Sequence, residues 1–242
     1  CENYPMTYRE LAESAQRVAN ILRRSGVEPG QKVAFMLPNT PHFPIILYGI
    51  LWAGAVAVPM NATLQPREIL FQLNDSESVF FFAHEALASA AGKAFSASTC
   101  RHFMVVEQGM TPGSPAIGES FLRAMASVPA VSDRVQTNPD DTAEIIYTTA
   151  TKGYPMGAEL THFNLFQNAL ACKEYVQHYK PSDICLNVLP LFHTFGQTAM
   201  LNAPLMAGST VLMPIRFDAG RMIEQIHQDR VTLFGAVPTM VY

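Results

Sequence analysis

Tyr147-Thr148-Thr149-Ala150-Thr151-Lys152-Gly153-Tyr154-Pro155-Met156-Gly157 lies between a β-branched run at 143–148 and a helix-like run that begins near Thr161 or His162. A strand, a hydroxyl- and glycine-rich loop and a helix in that order form the repeating unit of an α/β sheet, with the loop at the strand's C-terminal end. Threonine oxygens, backbone N–H groups and a following helix start offer partners to phosphate oxygens. The same residues also populate ordinary surface turns, and composition leaves both readings open. A P-loop NTPase is excluded, because GxxxxGK[ST] is absent: Ala158 rather than Lys follows Gly157.

The same rhythm extends outward in both directions. Leu11, Ala15, Val18 and Leu22 recur at helical steps among charged residues, so 7–25 reads as an amphipathic helix with Thr7 and Glu10 at its cap and Gly26 at its end. Strands are predicted at 32–37, 55–59 and 79–83, with helices at 42–53 and 66–74 between them. The uncharged run from Phe43 to Met60 is long enough to test as a membrane span. Its prolines and glycines favour a buried helix, a turn and a buried strand instead.

Residues 109–141 are rich in Gly, Pro, Ser and Asp, with one helix-like run at 119–126, and read as a linker or flap. Beyond them, strands are predicted at 143–148, 184–189, 209–213 and 231–235, and helices at 163–177, 196–206 and 219–229. The expected organisation is a first α/β part over 1–108, the linker, and a second α/β part over 142–242. Each carries a mostly parallel sheet covered by helices.

With 49% hydrophobic and 15% charged residues, the 242-residue chain has the material for a substantial core. A net charge of −4 and the lack of basic runs argue against a nucleic-acid partner. The four cysteines show no CxxC pairing or metal spacing with His, which fits reduced thiols in a cytoplasmic protein. The start lacks a signal-peptide pattern and an initiator Met, as in a trimmed or excerpted chain.

Taken together, these segments resemble the AMP-forming acyl-CoA synthetases and their relatives, the luciferases and peptide-synthetase adenylation domains. From Asp140 to Leu165 the chain is similar to the family's YTSGTTGxPKG signature with its following THxNL. Tyr147, Thr148, Thr151, Gly153, Pro155 and Gly157 match, as do Thr161, His162, Asn164 and Leu165. Gly54-Ala55-Val56 with Pro59-Met60-Asn61 and Glu68 resembles GAVxxPLNP. Leu189 through Gly196 resembles PLFHxxG, and Val237-Pro238-Thr239 resembles the VPT segment.

The resemblance implies an ATP phosphate loop at Thr148, Thr149, Ala150, Thr151, Lys152, Gly153, Pro155, Met156 and Gly157. It also implies an acyl or adenylate pocket bordered by Phe192, His193, Thr194, Gly196, Gly235, Ala236, Val237 and Pro238. His193 also reads as an ordinary loop histidine, and Gly235 to Pro238 as a buried strand end. The implied activity joins a fatty or other apolar carboxylic acid to coenzyme A through an acyl-adenylate, with ATP and Mg2+. A homodimer is compatible with it. The family's catalytic Lys and Glu are expected beyond Tyr242, so the chain alone is expected to be inactive.

Three positions depart from the pattern: Ala150 stands where Gly is usual, Lys152 where Thr is, and Met156 where Lys is. The last removes an ammonium from the loop, and thioether sulfur does not replace its charge. A non-catalytic nucleotide- or acyl-binding protein and a sibling adenylating enzyme with another acceptor are the competing functional readings.

Overall fold

The computed structural model describes residues 5–109, 113, 115–148 and 155–240. Their contacts divide them into two compact units. The first comprises residues up to His162 apart from Pro38–Thr40, and the second comprises Pro38–Thr40 with Phe163 onward.

The first unit is a seven-stranded sheet in the order β5-β4-β3-β1-β2-β6-β7. Its elements are α1 (Tyr8–Arg24), β1 (Lys32–Met36), α2 (His42–Trp52), β2 (Val56–Pro59), α3 (Pro66–Asp75), β3 (Phe80–His84), α4 (Ala88–Ala97), β4 (His102–Val106), β5 (Glu119–Ser120), α5 (Phe121–Ala126), β6 (Thr142–Thr148) and β7 (Met156–Thr161). All neighbouring strands run parallel except β7, which returns antiparallel along β6. Helical crossovers cover parallel strands, and β3 is accordingly buried along its whole length. Phe81, Phe103, Val58 and Ile145 share one apolar cluster with Ile69 and Leu73 of α3. The expected cap of α1 is present as a reciprocal pair: the Thr7 hydroxyl accepts from Glu10 N–H at 3.2 Å, and Glu10 carboxylate accepts from Thr7 N–H at 2.7 Å.

Three differences from the sequence reading have physical causes. First, α4, β4 and β5 occupy stretches to which no element was assigned or only a helix-like run was expected; α4 is Ala- and Ser-rich and carries weak periodicity. Second, β6 hydrogen-bonds into the first sheet beside β2, so the units part between His162 and Phe163 rather than at residue 142. Third, the expected flap is tied down over 127–135. Asn20 donates to the carbonyls of Pro129 and Val131 at 3.0 and 2.9 Å, Arg24 to that of Ser127 at 3.0 Å, and the Trp52 indole to that of Ser132 at 3.0 Å. Arg17 and Arg23 add bonds to Val128 and Asp133. Side-chain donors from α1 and α2 thus satisfy main-chain carbonyls of a segment that has no ladder of its own.

The second unit contains α6 (His162–Ala171) from Phe163 onward, β8 (Ile184–Asn187), α7 (Ala203–Ala207), β9 (Thr210–Leu212), α8 (Ala219–Gln228) and β10 (Leu233–Gly235). Its three strands are parallel in the order β10-β8-β9. The helix expected at 163–177 gives way to π-helical turns over Cys172–Val176, and the one expected at 196–206 is π-helical over Phe195–Asn202 before α7.

That second π stretch has a local explanation. Ala203 N–H donates to Thr198 O, five residues back, so the next carbonyl, that of Ala199, would fall to Pro204, which has no N–H. The buried Tyr179 hydroxyl donates to the Ala199 carbonyl instead, at 2.8 Å. Among the described residues, no helix is long and apolar enough to cross a membrane.

Candidate functional site

The first candidate segment follows β6. Tyr147 immediately precedes Thr148 and the hydroxyl-rich run, and its phenol donates to Asp75 Oδ2 at 2.6 Å at the end of α3. Phe71, one turn earlier, meets the Tyr147 ring edge-on at 6.4 Å between centroids. Burial, and after it the hydrogen bond and charge of Asp75, raises the phenol above its ordinary pKa. Across the ladder Tyr147 faces Gly157. A Cβ at Gly157 would lie 2.8 Å from Ile145 Cγ2 and 3.3 Å from Tyr147 Cζ, so glycine is what lets the ring lie over β7. Thr148 is exposed where the strand ends, and Met156, 64% exposed, opens β7. Of the residues assigned to the phosphate loop, Thr149, Ala150, Thr151, Lys152 and Gly153 lie outside the described residues.

The expected uninterrupted loop through Gly157 is therefore shorter on its C-terminal side. Met156 to Thr161 is a strand, because its main chain completes the ladder of β6 although its side chains carry little β propensity. His162, at the start of α6, has its pKa lowered by burial, partly offset by Asp141.

The second candidate segment follows β8. The strand ends at Asn187, and beyond Pro190 the chain turns through Leu191 and Phe192, closed by His193 N–H donating to Pro190 O at 3.2 Å. Gln197 N–H then donates to His193 O at 2.9 Å, which starts the helix. His193, Thr194 and Phe195 are exposed while Gly196 to Leu201 are buried. Phe192 lies against the His193 imidazole at 4.5 Å between ring centroids. Gly196 is fixed by space: an added Cβ would fall 2.4 Å from Pro190 O and 2.9 Å from Leu189 O.

The second unit brings the PLFHxxG-like and VPT-like segments together. Leu189, Ala199 and Met200 pack with Val237 and Met240. A Cβ at Gly235 would meet Met200 Sδ at 2.6 Å. Ala236 and Val237 are half-buried, and Pro238 is exposed at the start of a short 3-10 turn. Met200 is therefore core, whereas Phe195 offers surface, as the C-terminal edge of a parallel sheet does for ligands.

Sequence reasoning overlooked Asp75, Asn39 and Asn187. Asn39 donates to Leu189 O at 2.8 Å and accepts from Leu191 N–H at 3.1 Å. Asn187 donates to Gly196 O at 2.9 Å and accepts from Leu189 N–H at 3.2 Å. The Asn39 bonds span about 150 positions and have no local signal, whereas Asn187 bonds within nine positions. Among the described residues, no group of three or more His, Cys, Asp or Glu side chains is placed to hold a metal ion.

A feruloyl-CoA synthase from Amycolatopsis sp is 33% identical over 239 residues, which cover 97% of this chain and 44% of that protein. A long-chain-fatty-acid-CoA ligase from Archaeoglobus fulgidus superposes with a TM-score of 0.89 at 27% identity, covering 100% of this chain and 47% of that one. ATP-bound MatB from Rhodopseudomonas palustris superposes with a TM-score of 0.84 at 26% identity, over 97% of this chain and 44% of that one. The chain thus spans less than half the length of these relatives. The AMP-binding enzyme family matches residues 1–242, and with the mostly parallel sheets and the two strand-end segments described above, the chain belongs to that family.

Proposed function

We propose that the whole protein is an AMP-forming ligase that joins a carboxylic acid to coenzyme A. A carboxylate oxygen attacks the α-phosphorus of ATP and pyrophosphate leaves; the thiol sulfur of coenzyme A then attacks the acyl carbon and AMP leaves. Supporting this most directly is the match to the AMP-binding enzyme family over the whole chain, coinciding with a strand end at Thr148 that opens into the hydroxyl-rich segment. ATP, accompanied by Mg2+ on its phosphates, supplies the electrophilic phosphorus. The residues proposed to hold the phosphates are Thr148 to Gly153 with Pro155, Met156 and Gly157. Those proposed to border the acid are Phe192, His193, Thr194, Gly196 and Gly235 to Pro238. Positioning and electrostatic stabilisation, rather than covalent catalysis, are the protein's share.

The substrate proposed is an apolar acid, aromatic or fatty. The names of the relatives span both kinds, and Phe192 and Phe195 give the exposed tip an apolar surface. Free Cys100, Cys172 and Cys185 fit a reducing, cytoplasmic setting. A second reading, a nucleotide- or acyl-binding protein without turnover, is favoured by Met156, whose exposed thioether stands where a lysine is usual.

Acid-dependent ATP–pyrophosphate exchange by the whole protein, over a panel of aromatic and fatty acids, tests the proposal. Exchange with at least one apolar acid supports the ligase. ATP binding in calorimetry without exchange for any acid would establish the second reading. Residues 1–242 alone are expected to give no exchange.

A further inference from the structure

Asn39 and Asn187 belong to none of the matched motifs, yet both turn their amides onto one short stretch of main chain. Asn39, only 7% exposed, bonds Leu189 O and Leu191 N–H on either side of Pro190. Asn187, wholly buried, bonds Gly196 O and Leu189 N–H. The stretch lies beyond the end of β8 and contains a proline, so it has no strand ladder to satisfy its buried polar groups. A primary amide presents one donor and one acceptor side by side, the pattern a peptide group needs, whereas a carboxylate accepts only. Four bonds therefore hold residues 189, 191 and 196, and between the last two only Phe192 to Phe195 remain without such a hold.

We infer that Asn39 and Asn187 are positioning residues that set how Phe192 to Phe195, and His193 among them, are presented to the acid. This rests on the proposed function for the identity of the ligand and on the hydrogen bonds for the mechanism. Neither asparagine needs to touch the acid. With both ends of the turn fixed to buried amides, the tip starts in one arrangement, and less ordering is required when the acid binds.

The whole protein, with Asn39→Ala, Asn39→Asp and Asn187→Ala, is compared by hydrogen–deuterium exchange and by steady-state exchange kinetics. In Asn39→Ala, amides of 189–196 are expected to exchange about ten-fold faster while those of α1 and β1 to β3 keep their rates. KM for the acid is expected to rise with KM for ATP unchanged. Asn39→Asp keeps the acceptor for Leu191 N–H but sets a buried carboxylate oxygen against Leu189 O, so it should loosen 189–196 at least as much as Asn39→Ala. Unchanged protection of 189–196, a uniform loss of protection across the chain, or parallel shifts of both KM values would overturn the inference. Because deuterium exchange is read without turnover, an inactive parent would sink the proposed ligase while the protection data still decide the clamp.

Discussion

After β6, one tyrosine side chain ties the strand end sideways to α3, whereas after β8 two buried asparagines grip the main chain of the segment itself. Tyr147 is half-buried and its partner Asp75 sits at a helix end, so this anchor is open to water on one side. Asn39 and Asn187 are enclosed, and each makes both a donor and an acceptor bond. The difference teaches where rigidity is placed. The segment proposed to hold phosphates has its two ends held by the β6–β7 ladder, up to the Thr148–Met156 pair, while the one proposed to wall a pocket has its ends held by buried side-chain amides. An enclosed bond also costs more to lose than an exposed one, since a desolvated group is left without a partner.

The sharpest way to break this contrast is Gly196→Ala. The new methyl would meet the carbonyls of Pro190 and Leu189, which are backbone and cannot swing aside. A loss of about 3 kcal/mol is expected in urea unfolding; a loss under about 1 kcal/mol would mean that the turn after β8 gives way easily.

Tyr179→Phe comes next. It leaves the Ala199 carbonyl, which Pro204 has no N–H to serve, without its 2.8 Å donor. About 1–2 kcal/mol is expected by the same measurement.

On the other side of the comparison, Tyr147→Phe should cost only about 1 kcal/mol, because Asp75 regains water. It carries a pH signature. Tyr147's folded pKa lies above its ordinary 10.0, so the folded state holds the phenolic proton more tightly than the unfolded state does. The stability conferred is complete below pH 10.0 and declines as pH rises through the raised folded value. Urea midpoints measured up to pH 11 should fall less steeply in the variant.

Met156→Lys should move stability least, within about 0.5 kcal/mol, because the side chain is exposed. In the whole protein it should tighten ATP binding about ten-fold by restoring a cation, as calorimetry would show. No gain would place the loop's positive charge elsewhere.

Much of the fold was legible because its signals are local. The Thr7–Glu10 cap, the helical spacing of Leu11 to Leu22 and the runs Val56–Pro59 and Phe80–His84 each announce themselves within a few residues. Where the outcome depended on distant partners, the sequence was silent. Met156 to Thr161 is a strand because β6 lies beside it. The stretch 127–135 is tied down because arginines more than a hundred positions earlier reach its carbonyls. Within the candidate site, matched letters pointed to the segments 189–196 and 237–239, and the fold packs Leu189 of the first with Val237 of the second. Asn39 was invisible, since a bond spanning about 150 positions leaves no spacing to read; Asn187 bonds within nine positions but belongs to no matched motif.

The π-helical turns of Phe195–Asn202 make residue number, more than residue type, the critical quantity there. Deleting one position would permit ordinary four-residue bonding, yet it would turn everything upstream by about 100° relative to α7. Gly196 would rotate off the Pro190 carbonyl and a bulkier neighbour would be driven toward it. An indel that a surface loop absorbs without consequence would here misphase the aromatic tip, even if every side chain named above were retained.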